Sequence, residues 1–292
     1  MNAIIQIMLS TLRVSSPLLF AAMGGVLSER SGVINIALEG LMLAGAFGAA
    51  VVALATGSPI LGALAGAGAG ILIATIYGLS VINLRTNQIV AGTAINMLAA
   101  GVTPFLCKIL YDSAGSSPSI PLEARFQWAP LMLAWVVVLF VAWLLSSTPL
   151  GLWIRFAGEN PEALDSAGIG VNRIRWIAVL MSGALAGLGG ASLSIYLSSS
   201  FSRNMTAGRG FMALAALIFG KWKPIPAAMA CLLFGLADAL QIRLQGVILW
   251  GDQPVPVQFI QILPYVLTIF LLAGFVGKSR APKALGLPFL KG

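Results

Sequence analysis

Runs of about twenty apolar residues recur along the chain, each closed by a short break carrying glycine, proline or a basic residue. Nine segments can be cut: Ile4–Leu27, Ile34–Ala55, Pro59–Leu84, Gln88–Leu110, Ala129–Leu145, Ile174–Leu197, Phe211–Phe219, Pro224–Leu244 and Val257–Val276. At 1.5 Å per residue most of them reach across a bilayer core of about 30 Å, and the seventh is too short to do so comfortably. The pattern predicts an all-α polytopic membrane protein of about nine transmembrane helices, folded as a single transmembrane domain over 1–292. A first half, 1–148, and a second half, 174–292, flank one long polar loop at 149–173.

Small residues are spaced for close helix packing. Gly62, Gly66, Gly70, Ala74 and Gly78 follow one another at four-residue intervals in the third segment, and Gly40, Ala44 and Gly48 do so in the second. Such stripes let backbones approach one another where lipid removes the hydrophobic drive for association. A weak internal repeat runs alongside: Pro59 with Gly70 and then Asn87-Gln88-Ile89 in segments two to four, Pro224 with Gly235 and then Val257-Gln258-Phe259 in segments seven to nine. The two sets cross in opposite senses, which predicts inverted-topology halves.

Composition narrows the class further. The chain is 59% hydrophobic and 9% charged, with a mean hydropathy of +0.96, which excludes a soluble domain. It has no histidine, and its two cysteines, Cys107 and Cys231, lie singly in apolar segments, so disulfides, metal sites and histidine-based catalysis have no support. Arg13, inside the first segment, is the first basic residue, so no cationic region precedes a cleavable signal. The net charge of +8 is spread through short loops, a membrane-orientation pattern rather than a nucleic-acid face. With the 149–173 loop on the cytoplasmic side, Arg30, Arg85, Arg155, Arg173, Arg175, Lys221, Lys223, Lys278, Arg280, Lys283 and Lys291 lie inside, against Lys108, Arg125, Arg203, Arg209 and Arg243 outside. This bias counts the short seventh segment as a crossing, places the C-terminus inside and the N-terminus outside.

The residues from Pro149 to Trp176 form the one long charged stretch. Asn160 before Pro161 reads as an N-cap and first helical residue, Glu162 places an acid in the first turn, and Gly168 supplies a stop, which predicts a helix over Pro161–Ala167. It is either a solvated connector with a surface helix or a docking element for a soluble partner. This loop and the GVNRIRWIAVLMSGALAGLGGA run after it (170–191) resemble the coupling region of permeases of ATP-binding cassette (ABC) importers for ribose, nucleosides and branched-chain amino acids. The runs ERSGVINIALEGLMLAGAF (29–47), LRTNQIVAGTAINMLA (84–99) and RGFMALAALIFG (209–220) resemble the sugar and nucleoside branch, and the likeness spans nearly the whole chain.

The resemblance implies a type II importer permease in the bacterial inner membrane that hydrolyses nothing itself. It would pair with a second permease subunit, related or identical, dock a cytoplasmic ATPase that holds ATP and Mg²⁺, and receive a nucleoside or simple sugar from an extracytoplasmic binding protein. Gly158, Glu159, Asn160, Pro161, Glu162 and Ala163 would meet the ATPase, while Arg203 and Arg209 would meet the binding protein. The stretch from Gly274 to Ser279 is the nearest thing to a phosphate loop and fails as one, because it ends an apolar segment and has Leu272 where a glycine is needed.

Polar side chains inside a membrane mark pathways or structural pairs. Asn35, Glu39, Asn87, Gln88, Asn96, Phe211 and Asp238 are the candidates for the solute pathway. Glu39 alternatively bonds a neighbouring helix or pairs with Arg85, and Asp238 alternatively balances Arg243. Phe47, Phe211 and Trp250 offer faces for stacking on a base, or packing. An ion-coupled secondary transporter using Glu39 and Asp238, and a branched-chain amino acid permease, are the competing readings.

Overall fold

The computed structural model describes residues 3–244, 262, 266 and 280–289. Ten α-helices follow one another: α1 (Ala3–Arg30), α2 (Leu38–Thr56), α3 (Pro59–Gly78), α4 (Gln88–Tyr111), α5 (Ala129–Ser147), α6 (Pro149–Glu159), α7 (Pro161–Ser166), α8 (Val171–Ser192), α9 (Arg209–Phe219) and α10 (Pro224–Leu244). Short π-helical turns, Leu79–Asn83 and Leu193–Leu197, extend α3 and α8. Among the described residues the β pairing amounts to one isolated bridge, between Ser116 and Ser202. Among the described residues seven helices are long and apolar enough to cross a membrane, and α9, at 11 residues, is shorter. The ninth apolar segment lies outside the described residues apart from Ile262 and Val266. So do Trp250, the Val257-Gln258-Phe259 element and the stretch from Gly274 to Ser279.

The bundle is built around α1, α2 and α8, whose residues are mostly buried, while α3, α4, α5 and α10 expose broad apolar faces. The expected small-residue stripe of α3 is the packing face: Gly62, Gly66, Gly70, Ala74 and Gly78 are all buried. A Cβ on Gly62 would stand 3.0 Å from Ala49 O of α2, and one on Gly70 would stand 2.9 Å from Gly187 Cα of α8. One close crossing falls one position off the stripe expected in α2. At Gly45 a Cβ would meet Gly187 Cα at 2.5 Å and its carbonyl carbon at 2.8 Å. Three helices thus touch backbone to backbone around Gly45, Gly66, Gly70 and Gly187, where dispersion and weak Cα–H···O contacts replace the hydrophobic drive.

The loop expected at 149–173 is largely helical. Thr148 Oγ1 accepts from Gly151 N at 3.1 Å with Pro149 next in line, so α6 starts with the same cap-then-proline signal as α7. α6 buries Gly151, Ile154, Ala157 and Gly158 and exposes Leu152 and Phe156, an amphipathic helix lying against α5 and α1. Asn160 Oδ1 accepts from Ala163 N at 3.2 Å, and α7 ends where Gly168 takes φ +80°, close to the expected Pro161–Ala167.

Candidate functional site

Two polar clusters stand out against the apolar bundle. The first gathers at one end, where the α6–α7 turn is held by the C-terminal end of α1, the start of α8 and the segment 280–289. Gly158 presses on the turn after α1 so closely that a Cβ would stand 3.0 Å from Gly32 N. Gly158 O accepts from Ala284 N at 2.8 Å, and Gly32 O accepts from Gly286 N at 2.9 Å. Arg175 is 3% exposed and donates to Ser31 O (3.2 Å), Leu287 O (2.8 Å) and Ala157 O (3.4 Å), so one guanidinium ties three chain segments together. Glu29, equally buried, accepts from the Trp222 indole at 2.5 Å, and Arg30 Nε donates to Trp222 O at 2.8 Å.

On this foundation the α6–α7 turn shows its polar side to the surroundings. Glu159, Asn160, Glu162 and Ala163 are exposed, Pro161 is half-buried and Leu164, 3% exposed, anchors the short helix. The Arg30–Glu159 approach of 3.9 Å is half open to solvent and contributes about 1 kcal/mol or less. What the turn can do chemically is present acids and backbone on a rigid base.

The second cluster lies within the bundle. Between α1 and α2 the chain unwinds over 31–37, exposing peptide groups that lipid cannot satisfy, at several kcal/mol each if left bare. Neighbouring helices supply the partners. Gln88 Oε1 accepts from Ile34 N at 2.8 Å, and the Tyr77 hydroxyl donates to Ile34 O. Ser28 Oγ donates to Val33 O at 2.9 Å, and Asn96 donates to Ile36 O (2.9 Å) while accepting from Gly40 N (2.8 Å). Asn35 is fully buried, with its amide nitrogen donating to Ser182 Oγ at 2.8 Å.

Glu39 sits at the start of α2 and closes the N-terminus of α9. Its two carboxylate oxygens accept from Gly208 N at 2.8 Å and Gly210 N at 2.6 Å, while Gly208 turns through φ +83°. A carboxylate there satisfies orphan donors and complements the positive end of the helix dipole. Beside it Arg209 approaches Asp238 of α10 at 3.9 Å and donates to Met205 O at 3.4 Å. Of the alternatives for Glu39, the structure favours the neighbouring helix over Arg85. Asp238 faces Arg209 rather than Arg243, whose guanidinium donates to Gln6. Phe211, 47% exposed, follows on α9.

The other sequence candidates divide. Asn87 caps α4 and is exposed, accepting from Ile89 N at 3.0 Å and Val90 N at 3.2 Å. Phe47 packs edge-on against Phe201 at 5.2 Å. Arg203 is exposed at the end opposite α6–α7, in a loop fastened to 115–126 through Ser117 N to Phe201 O (3.0 Å) and Phe126 N to Ile195 O (3.0 Å). Sequence reasoning passed over Glu29, Arg30, Arg175 and Trp222. Glu29, Arg30 and Arg175 stand inside runs that carry the family resemblance, and Arg30 and Arg175 otherwise enter only as basic charges on the cytoplasmic side.

Residues 7–272 match the family described as branched-chain amino acid transport system / permease component. The chain belongs to this permease family. It is 40% identical to the guanosine ABC transporter permease protein NupQ of Bacillus subtilis, over 97% of this chain and 96% of the relative. It is 39% identical to the nucleoside ABC transporter permease protein NupC of Lactococcus lactis, over 99% and 98%. A solved ABC transporter described as of metal-chelate type, in an inward-facing conformation, superposes with a TM-score of 0.52 at 18% identity, covering 93% of this chain and 86% of that one. The last likeness bears on the fold, which is that of an ABC transporter permease. The permease is therefore a multi-pass membrane protein and a transport subunit of an ABC importer, as the sequence resemblance implied.

Proposed function

We propose that the permease carries nucleosides into the cell. The observation that carries the substrate is the identity of about 40% to guanosine and nucleoside permeases across nearly the full length of both chains. In this reading the α6–α7 turn faces the cytoplasm of a bacterial inner membrane, and Glu159, Asn160, Pro161, Glu162 and Ala163 enter a cleft of a separate ATPase that holds ATP and Mg²⁺. Gly158 seats the turn rather than touching the partner. A second permease subunit completes the pathway, and an extracytoplasmic binding protein docks near Arg203. Arg209, engaged with Asp238, is the weaker docking contact.

Within the bundle, Phe211 provides the exposed face beside the pathway. Asn35, Glu39, Asn87, Gln88, Asn96 and Asp238 shape that pathway by holding the unwound turn, α4 and α9 in place. The single domain, 1–292, is read as two inverted halves joined by 149–173, with nine crossings including α9 and Val257–Val276. Support for the inversion comes from matching neighbours: α2 and α3 pack on α8 as α9 and α10 pack on α1. Gly70 and Gly235 occupy equivalent close contacts, the latter 2.7 Å from Ser15 Cβ by its virtual Cβ.

The test is solute-stimulated ATP hydrolysis by the reconstituted complex of permease, second permease, ATPase and binding protein. Guanosine or adenosine is expected to raise the rate several-fold, with leucine and glucose inert. Stimulation by leucine or glucose alone overturns the substrate. In nucleoside uptake by the same complex in proteoliposomes, Glu159→Lys with Glu162→Lys is expected to abolish transport while leaving insertion and thermal stability unchanged, since both side chains are exposed. Normal uptake in that variant would place coupling elsewhere.

A further inference from the structure

At the end of the bundle opposite α6–α7 a cavity of about 300 Å³ opens between α1, the 122–128 stretch and the end of α8. It is lined by two arginines, Arg13 and Arg125, and among the described residues neither has a carboxylate within 4.0 Å. Arg13 stands about 25 Å along α1 from Arg30, near the boundary of a bilayer core rather than in water. An unpaired arginine at that level is costly, and a structure keeps it by supplying an anion. The arginine is also fixed in place: its guanidinium carbon lies 5.3 Å from the Tyr196 ring centre and 5.8 Å from that of Trp128. Tyr196 is 1% exposed, and its hydroxyl, together with Arg125 Nε, is enclosed without a hydrogen-bond partner among the described residues. Buried donors left unpaired in this way mark a missing acceptor.

Phe126 forms a wall shared with a second, larger cavity of about 620 Å³. That one is almost entirely apolar, running past Phe20, Leu64, Leu133, Val136 and Leu188 along the first turns of α5. Phe20 lies seven residues beyond Arg13 on α1, about 10 Å deeper. Met132, Leu133 and Val136 are exposed on the outer side of α5, so the groove opens towards the acyl chains of a surrounding bilayer.

We infer that these adjoining cavities bind one anionic phospholipid, its phosphate between Arg13 and Arg125 with the Tyr196 hydroxyl donating, and an acyl chain in the apolar groove. The two guanidiniums, without a carboxylate partner among the described residues, select a headgroup of net negative charge, such as phosphatidylglycerol, over a zwitterionic one. An acidic loop of a protein partner would satisfy the arginines and leave the groove unused; inorganic phosphate would do the same.

The site is tested by native mass spectrometry and thermal melting of the purified importer complex with phosphatidylglycerol, phosphatidylcholine or inorganic phosphate added. The wild type is expected to retain phosphatidylglycerol at least five-fold over phosphatidylcholine and to gain several degrees in melting temperature with it alone. Arg13→Gln with Arg125→Gln is expected to remove both effects, and Tyr196→Phe, which keeps the ring and the fold, to weaken retention several-fold. Narrowing the groove by Leu133→Trp is expected to reduce retention with both arginines intact. Equal retention of the two lipids overturns the inference, as does an unchanged adduct in the double variant. A gain from inorganic phosphate matching that from the lipid, or loss of binding-protein capture with lipid retention intact, also overturns it.

Discussion

Glu39→Ala is expected to abolish uptake and to lower the stability of the permease by about 2–6 kcal/mol, the cost of leaving two enclosed N–H donors without acceptors. The carboxylate is the acceptor for both Gly208 N and Gly210 N, and the close fit of Gly210, whose virtual Cβ would stand 2.8 Å from Glu39 Oε2, leaves little room for water to replace it. α9 is short, and a helix of three turns relies on its caps and contacts more than a long one does. Glu39→Gln keeps the shape but turns an NH₂ towards one of the two donors, so an intermediate loss is expected. The check is thermal melting of detergent-solubilised protein alongside uptake in cells. Wild-type melting of the alanine variant would show that the end of α9 finds other partners.

Arg175→Met is expected to cost about 3 kcal/mol and to separate ATP hydrolysis from transport, because it releases the carbonyls of Ser31, Ala157 and Leu287 at once. Lysine is a poor substitute: one ammonium on a flexible stem does not reproduce three donors held in a plane. The fastening of the 280–289 segment loosens with it, so tryptic cleavage after Arg280 and Lys283 is expected to speed up several-fold. That readout distinguishes a lost clamp from simple misfolding, since a lost clamp speeds cleavage after Arg280 and Lys283 more than cleavage at the other basic residues, whereas misfolding speeds all of them alike. Unaltered cleavage together with coupled transport would remove Arg175 from the device.

Much of this was legible in the chain. Segment boundaries follow from apolar length, and Asn160-Pro161 with Gly168 predicts α7 because capping is a local property. α6 was missed although Thr148-Pro149 carries the same signal, since one charged residue every few positions reads as a loop when the apolar face is narrow. The intramembrane polar residues show the limit most plainly. Their type and depth mark Gln88, Asn96 and Glu39 as exceptional, but which group each one serves depends on where the chain unwinds. Arg30 and Gly32 mark a break before Ile34, but nothing announces its extension through Ala37; the partners there come from 54 to 60 residues away for Gln88 and Asn96, and the donors that Glu39 serves lie about 170 residues from it. The roles of Arg175 and Trp222 likewise depend on contacts that no local pattern encodes.

The crossing of α2, α3 and α8 limits how this chain can change. With backbones meeting at Gly45, Gly70 and Gly187, these positions have an alphabet of one letter, because even a methyl group has nowhere to go. A few residues from Gly70, Gly68 faces open space, and Leu64 and Leu72 look outward, where any apolar residue of similar size serves. Mutational drift is therefore channelled outward along each helix, and two permeases of this family that share little on their lipid-facing sides can still keep the same glycine geometry at the centre.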